Sequence, residues 1–289
     1  MSFLPLAARY MILSALGFAV MGACVKLVHA RGIPVLEIVA ARALVSAFIS
    51  YADVKRKKLS IWGHRKGLLF ARGIAGALAL VCVYYALVHI PFAEATMLQY
   101  LHPMFTAVLA IIFLRERLHS STLLCIVFSF IGLLIIVRPS FLFGGLQADY
   151  SLIAIAAAIA GAFGSAVAYV LVRKLNETED PSVIIFYFPI IALPFALVLL
   201  GSDFVMPQGW SWLLLLGVGV ATQVGQVGLT KAMQTETASK ATSFSYLQVV
   251  FAALLGWLVF SEVPVIWTWI GGGLIVLGAF INVVYRGKK

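Results

Sequence analysis

A glutamine, a tyrosine and a histidine stand in the middle of an apolar run at Glu94–Phe105, EATMLQYLHPMF. Gln99, Tyr100 and His102 offer hydrogen-bond donors and acceptors, and a histidine also exchanges a proton near neutral pH. On a helix Gln99, His102 and Thr106 share one face, with Thr96, Tyr100 and Pro103 on the adjacent strip. Ser245, Tyr246 and Gln248 repeat the same spacing later in the chain, and Gln223, Gln226 and Thr230 mark one face of another apolar segment. Arg42 is the strongly basic residue set well inside such a segment, and Tyr84, Tyr85 and His89 close another. Within the apolar segments there are no paired carboxylates, no Ser/His/Asp arrangement and no Cys/His ligand spacing. The expected chemistry is therefore recognition by hydrogen bond and charge, with no catalytic residue, cofactor or metal.

Composition says what must position these groups. The 289-residue chain is 63% hydrophobic and 11% charged, with a mean hydropathy of +1.05; soluble domains run nearer half apolar and a quarter charged. Apolar stretches long enough to cross a bilayer as helices recur along the whole length. The expected spans are 9–29, 35–52, 67–88, 93–114, 122–139, 150–173, 182–201, 210–232, 238–260 and 266–286. Short connections carry breakers such as Gly32 and Pro34, Pro91, Gly144 and Gly145, Pro181, and Pro207 to Gly209. Cys24, Cys82 and Cys125 all fall in apolar segments and read as packing residues.

A net charge of +10 raises the possibility of nucleic acid. The positions of the charges argue against it, because Lys and Arg cluster in the connections, where they set topology. With the N-terminus in the cytoplasm, the inner connections hold Arg9, Lys55–Lys58, Arg65, Lys66, Arg115, Arg117, Arg173, Lys174, Lys231, Lys240, Arg286, Lys288 and Lys289. Only Arg31 and Arg138 fall outside, so both termini are expected inside.

Displaced by 146 residues, Tyr84–Val137 aligns without a gap on Thr230–Val283. Ala95-Thr96 meets Ala241-Thr242, Tyr100-Leu101 meets Tyr246-Leu247, and Glu116 meets Glu262. Two repeats are expected, at 1–140 and 149–286. Each holds an odd number of spans, so the second enters the membrane from the opposite side, which makes an inverted repeat with a site near the midplane.

FLRERL at 113–118 has its counterpart in VFSEVP at 259–264, and FIGLLIIV at 130–137 in GLIVLGAFI at 273–281. With Lys26 and the EIVAAR ending at Arg42, these motifs resemble the drug/metabolite transporter superfamily, and in particular its ten-helix EamA-type exporters. The resemblance spans the chain. It implies an all-α polytopic membrane protein, two inverted five-helix repeats around a central cavity, and transport of metabolites such as amino acids. Its partners are then a small-molecule substrate and the lipid bilayer, in the inner membrane of a bacterium.

His102 lies about nine residues into its span, roughly 14 Å deep at 1.5 Å per residue. Polar groups there are costly against lipid, so they face either a cavity or a neighbouring helix. Pro103 leaves the Gln99 carbonyl without its helical donor, which predicts a kink. The candidate substrate-binding set is Arg42, Tyr85, Gln99, Tyr100, His102, Gln223, Gln226, Ser245, Tyr246 and Gln248. For Arg42 a substrate carboxylate competes with snorkelling and with a structural bond to a carbonyl; Lys26 and Arg72, nearer their helix ends, are expected to snorkel. Glu116 and Glu262 are each expected to cap a neighbouring helix start. The Gly-rich GVGVATQVGQVG at 217–228 reads as close helix packing, since a P-loop needs a lysine and a strand.

No Walker sequence is present, and all 11 acidic residues lie in connections or near helix ends. His102 and His89 remain as proton carriers, so proton antiport, exchange and facilitated diffusion all stay open. A second carrier reading is uptake or exchange of a larger ligand such as S-adenosylmethionine or riboflavin. A channel or a membrane-embedded enzyme is a more distant one.

Overall fold

The structure is a computed structural model that describes residues 5–89, 92–138 and 151–284. The connection at Gly144 and Gly145 and the C-terminal Arg286, Lys288 and Lys289 lie outside the described residues, as does the side chain of Tyr84. Regular structure among the described residues is entirely helical. The helices are α1 (Leu6–His29), α2 (Val35–Arg56), α3 (Lys66–His89), α4 (Phe92–Gln99), α5 (His102–Leu114), α6 (Ser120–Val137), α7 (Leu152–Leu175), α8 (Pro181–Leu200), α9 (Trp210–Thr235), α10 (Ala238–Ser243), α11 (Leu247–Phe260) and α12 (Ile266–Val284). Ten of the segments are long and apolar enough to cross a membrane, with α4–α5 and α10–α11 each counting as one. They fall on the expected spans.

Packing between the halves follows an inversion. α1 lies on α9 as α7 lies on α3, α5 on α7 as α11 on α1, and α2 on α9 as α8 on α3. The remaining large contacts, α2 with α8 and α6 with α12, pair each helix with its own image. Tyr100 and Tyr246, 146 residues apart, stack at 5.7 Å between ring centroids, and the Tyr246 hydroxyl donates to the Tyr100 carbonyl at 2.9 Å.

Small residues allow the close crossings, as expected for helices that associate without a hydrophobic drive. Where α6 crosses α12, a Cβ added to Gly132 stands 2.4 Å from the Gly271 carbonyl oxygen, and one added to Gly271 stands 2.4 Å from that of Gly132. The Gly-rich run serves the same purpose on α9: Gly225 faces the Phe18 ring, and Gly228 faces the Tyr10 carbonyl of α1.

The expected kink is present, two residues upstream of Pro103. α4 stops at Gln99, Leu101 N–H donates to Leu98 at 3.1 Å, and α5 begins at His102. The ninth span bends at the equivalent place through a 3-10 turn at Phe244–Tyr246. Val249 stands there where the first repeat has Pro103, so no proline directs that bend. Backbone bonds from Thr242 to the Ala238 carbonyl at 2.9 Å and from Ser243 to that of Lys240 at 2.8 Å accompany it, the competition with helical bonding that short hydroxyl side chains offer.

One membrane face, here the Lys57 face, is tied by a cluster at the ends of α2 and α8. Asp180 caps α8 by accepting from Ser182 N–H at 2.9 Å. Lys57 donates to Asp180 at 2.9 Å and to the Ser182 hydroxyl at 2.7 Å, and that hydroxyl bonds Asp53. Burial works against both charges. The bonds outweigh it, holding Lys57 above the ordinary lysine range and Asp180 below the ordinary carboxylate range. The signs give opposite windows. The Asp180 contribution is present above its unfolded pKa and is lost as pH falls through the lower folded value. The Lys57 contribution is present below its unfolded pKa and is lost as pH rises through the higher folded value. Melting temperature in detergent is expected to fall at both extremes, below about pH 4 and above about pH 10. Lys57→Met should lower the plateau and flatten both limbs; a profile identical to the parent's would show that the cluster contributes nothing.

A candidate substrate site between the repeats

Two arginines of the spans meet at Phe188 of α8. Arg42 enters from α2, half-buried, with its guanidinium carbon 5.9 Å from the Phe188 ring centroid and Nη1 3.7 Å from the Met21 sulfur. Arg72 enters from α3 on the other side, 4.8 Å from the same centroid, and donates from Nη2 to Gln226 Oε1 at 3.4 Å. α2 and α3 run in opposite directions, so Arg42 descends from one face and Arg72 from the other, and they converge at mid-depth. Tyr169 of α7 lies within charge-interaction range of both guanidinium groups. His102 sits edge-on to Tyr169 at 5.2 Å and 6.0 Å from Tyr100. Its ring is buried, and Nδ1 has no partner in the protein.

Arg72 corrects an expectation. It does not snorkel: it is 3% exposed, and Nε and Nη1 have no protein partner. The signal was an arginine about as deep in its span as Arg42, with Gly73 and Gly76 making room beside it. A Cβ on Gly76 would stand 2.8 Å from the Phe188 ring. Tyr169 and Phe188 gave no signal, because aromatic residues in apolar segments are common.

Other expected residues divide between site and scaffold. Gln99 donates to Ser165 of α7 at 3.2 Å and Gln223 to Ser50 of α2 at 2.8 Å, while Oε1 of each has no protein partner. Tyr246 is fully buried, with its hydroxyl committed to Tyr100. Ser245 and Gln248 are half-buried. Tyr85 is not brought to this centre: it is 39% exposed and stacks on His89 at 4.1 Å near the end of α3. A separate apolar groove of about 490 Å³, lined by Trp62, Phe70, Phe186 and Ile190 among others, lies along α3 and α8, away from the polar cluster.

Because His102 makes no side-chain hydrogen bond that leucine would break, His102→Leu strands no neighbour. Transport is expected to be lost while the melting temperature stays within a degree or two of the parent's; a fall comparable to a lost buried hydrogen bond, about 1–3 kcal/mol, would make His102 a structural residue.

The two faces differ. On the Lys57 face Glu116, from the α5–α6 connection, accepts from Ala238 N–H at 3.0 Å with both carboxylate oxygens, which caps α10 as expected. Arg173 joins it at 3.2 Å and donates to the Met233 carbonyl at 3.0 Å. Repeat-equivalent Glu262 caps no helix among the described residues and bonds Lys26, the pair being 57% and 52% exposed. Lys26 thus has a counter-ion, which the snorkelling expectation had not given it. α10 packs on α5, α6 and α7, whereas among the described residues α4 and α11 make no comparable contact. Among the described residues the fourth and ninth spans are joined at the Lys57 face and make no comparable contact at the other.

Known proteins share this plan. A profile of the EamA-like transporter family matches residues 6–138 and again 152–284. The pseudopaline exporter CntI of Pseudomonas aeruginosa (strain UCBPP-PA14) is 36% identical over 96% of this chain and 95% of its own. Mouse solute carrier family 35 member G1 is 32% identical over 97% of this chain and 79% of its own. A riboflavin transporter of Vibrio cholerae is 26% identical over 98% and 94%. A solved crystal structure superposes with a TM-score of 0.84 over 96% of both chains at 19% identity, which shows the shared fold. The relatives are named as carriers rather than enzymes, and the chain is a multi-pass membrane protein and secondary transporter that belongs to the EamA-like transporter family.

Proposed function

We propose that the protein exports amino acids or related carboxylate-bearing metabolites by alternating access, with the substrate held between the repeats at Arg42, Gln226 and His102. The observation that carries this reading is Arg42: a guanidinium in mid-membrane that makes no ion pair with any carboxylate among the described residues. A charged group at that depth is costly unless something neutralises it, and a substrate carboxylate does so by a charge-assisted, bidentate bond. The moving units in this reading are the repeats at 1–140 and 149–286. Closure at the Lys57 face with separation at the other supports one half of the cycle; exchanging the roles of the repeats gives the other half. The positive connections support a cytoplasmic Lys57 face and termini, in the inner membrane of a bacterium.

Purified protein in liposomes tests the reading. Counterflow of a radiolabelled neutral amino acid should saturate, and Arg42→Ala should weaken its binding about ten- to a hundredfold with the melting temperature preserved. Unchanged affinity alongside a lower melting temperature would return Arg42 to a structural role. Orientation is read separately: a cysteine at Lys57 should label from the cytoplasm only, and one at Asp203 from outside only.

A further inference from the structure

Arg72 has no assigned partner that matches its charge. Its side chain is 3% exposed, and of its donors only Nη2 finds an acceptor in the protein, the neutral Gln226 Oε1 at 3.4 Å. The Phe188 ring lies against it, Tyr169 is within charge-interaction range, and no carboxylate among the described residues pairs with it. A cation over an aromatic face recovers part of its lost hydration, though not the charge-assisted bonds a guanidinium makes with an anion. Gly76 leaves the space in which Phe188 stands against Arg72, so the α3–α8 crossing is built to hold the ring there. Arg42 lies over the same ring, so the guanidinium carbons stand no farther apart than the sum of 5.9 and 4.8 Å.

We propose that Arg72 and Arg42 form a receptor for a small molecule carrying two separate carboxylates, one for each guanidinium, with Phe188 between them. This rests on the reading of Arg42 as a carboxylate-binding residue and adds a second anchor and a substrate class. The guanidinium groups come from different helices and lie over one ring, so a ligand with two anionic groups can meet each of them separately. A phosphate monoester carries its two charges on one group, so it can compete for the pair only by bridging both guanidinium groups from a single centre. Neutral Gln226 and Tyr169 are left to orient polar atoms between the two ends.

Thermal stabilisation of the full-length protein in detergent, titrated with glutamate, glutamine, glutarate, butyrate and inorganic phosphate, decides the matter. Glutamate is expected to bind at least about tenfold tighter than glutamine, and glutarate than butyrate, as an added charge-assisted pair requires. Arg72→Met should abolish that preference, so that glutamate binds no tighter than glutamine. Its ligand-free melting temperature should equal or exceed the parent's, since apolar replacement of a buried unpaired charge is neutral or stabilising. Arg72→Lys keeps the charge without the fork and should restore only part of the preference. A parent that binds glutamate and glutamine alike overturns the two-carboxylate class and leaves the carboxylate-carrier reading standing. Stabilisation by phosphate as strong as by glutarate also overturns it, in favour of a single-centred dianion. An Arg72→Met variant that melts lower yet keeps the preference makes Arg72 structural and overturns the receptor. Failure of every carboxylate to bind defeats the carrier reading itself.

Discussion

Gly132→Leu is expected to abolish recovery of folded protein. The crossing of α6 and α12 brings the two backbones together at Gly132 and Gly271, where a Cβ added to either would stand 2.4 Å from the other's carbonyl oxygen. Ile275 and Ile136 close the sides, at 2.9 and 2.6 Å from those same Cβ positions. Backbone cannot rotate out of the way, so even alanine forces the helices apart, at a cost of about 1–3 kcal/mol. A leucine must separate them by most of its own width. Gly273, on α12 with Gly271, has nothing within 4 Å of its Cβ position, so Gly273→Leu should express and melt like the parent. Size-exclusion profile and melting temperature read the comparison, and equal damage from both leucines would show that the crossing is not the cause.

Glu116→Ala is the second large effect. The Glu116 side chain is 8% exposed and gathers two kinds of partner, the Ala238 N–H at the start of α10 and the Arg173 guanidinium. Its removal leaves the Ala238 N–H without its acceptor, although Thr237 still caps α10 through the Lys240 N–H, and a partly buried arginine without its carboxylate, about 1.5–3 kcal/mol. A melting temperature lower by several degrees should follow, with the Lys57 face loosened where the fourth and ninth spans meet. Glu262→Ala removes the equivalent residue at the other face, where both partners of the ion pair are more than half exposed. Exposed pairs contribute roughly 0–1 kcal/mol, so this variant should melt within about a degree of the parent. Similar losses from the two would show that the faces are energetically alike in solution.

Ten spans, their limits and the inversion were legible because each rests on a coarse property: the length of an apolar run, the position of a breaker, the displacement that aligns the halves. Pro103 announced the break in the fourth span, since a missing N–H is visible in the sequence. Its counterpart in the ninth span was not visible, because Val249 carries no such mark and the bend there coincides with backbone-bonded hydroxyls. The site was legible in part. Arg42 and His102 stood out as polar groups at depth, and both reach the centre. Arg72 was misread because depth along a helix does not say which way a side chain faces; Gly73, Gly76 and the neighbouring α8 decide that. Phe188 acquires meaning only from the arginines that lie over it and Tyr169 from His102, and those contacts come from other helices. Tyr85 shows the converse, a polar aromatic near a helix end that turns toward His89 and away from the site.

The arginine pair also bears on what drives the cycle. Fixed positive charge at the centre, with acidic side chains kept to the edges of the spans, makes a carrier whose loaded form is closer to neutral than its empty form when the cargo is a dianion. The electrical work then falls on the return of the empty carrier. A cell interior that is negative pulls the two uncompensated guanidinium groups inward, at about 2.3 kcal/mol per elementary charge for each 100 mV if the charge crosses the whole field. An anion exporter arranged in this way draws on the membrane potential directly. It needs no Asp or Glu proton relay, and inside-negative liposomes should show faster efflux than liposomes with the potential collapsed, at any pH gradient.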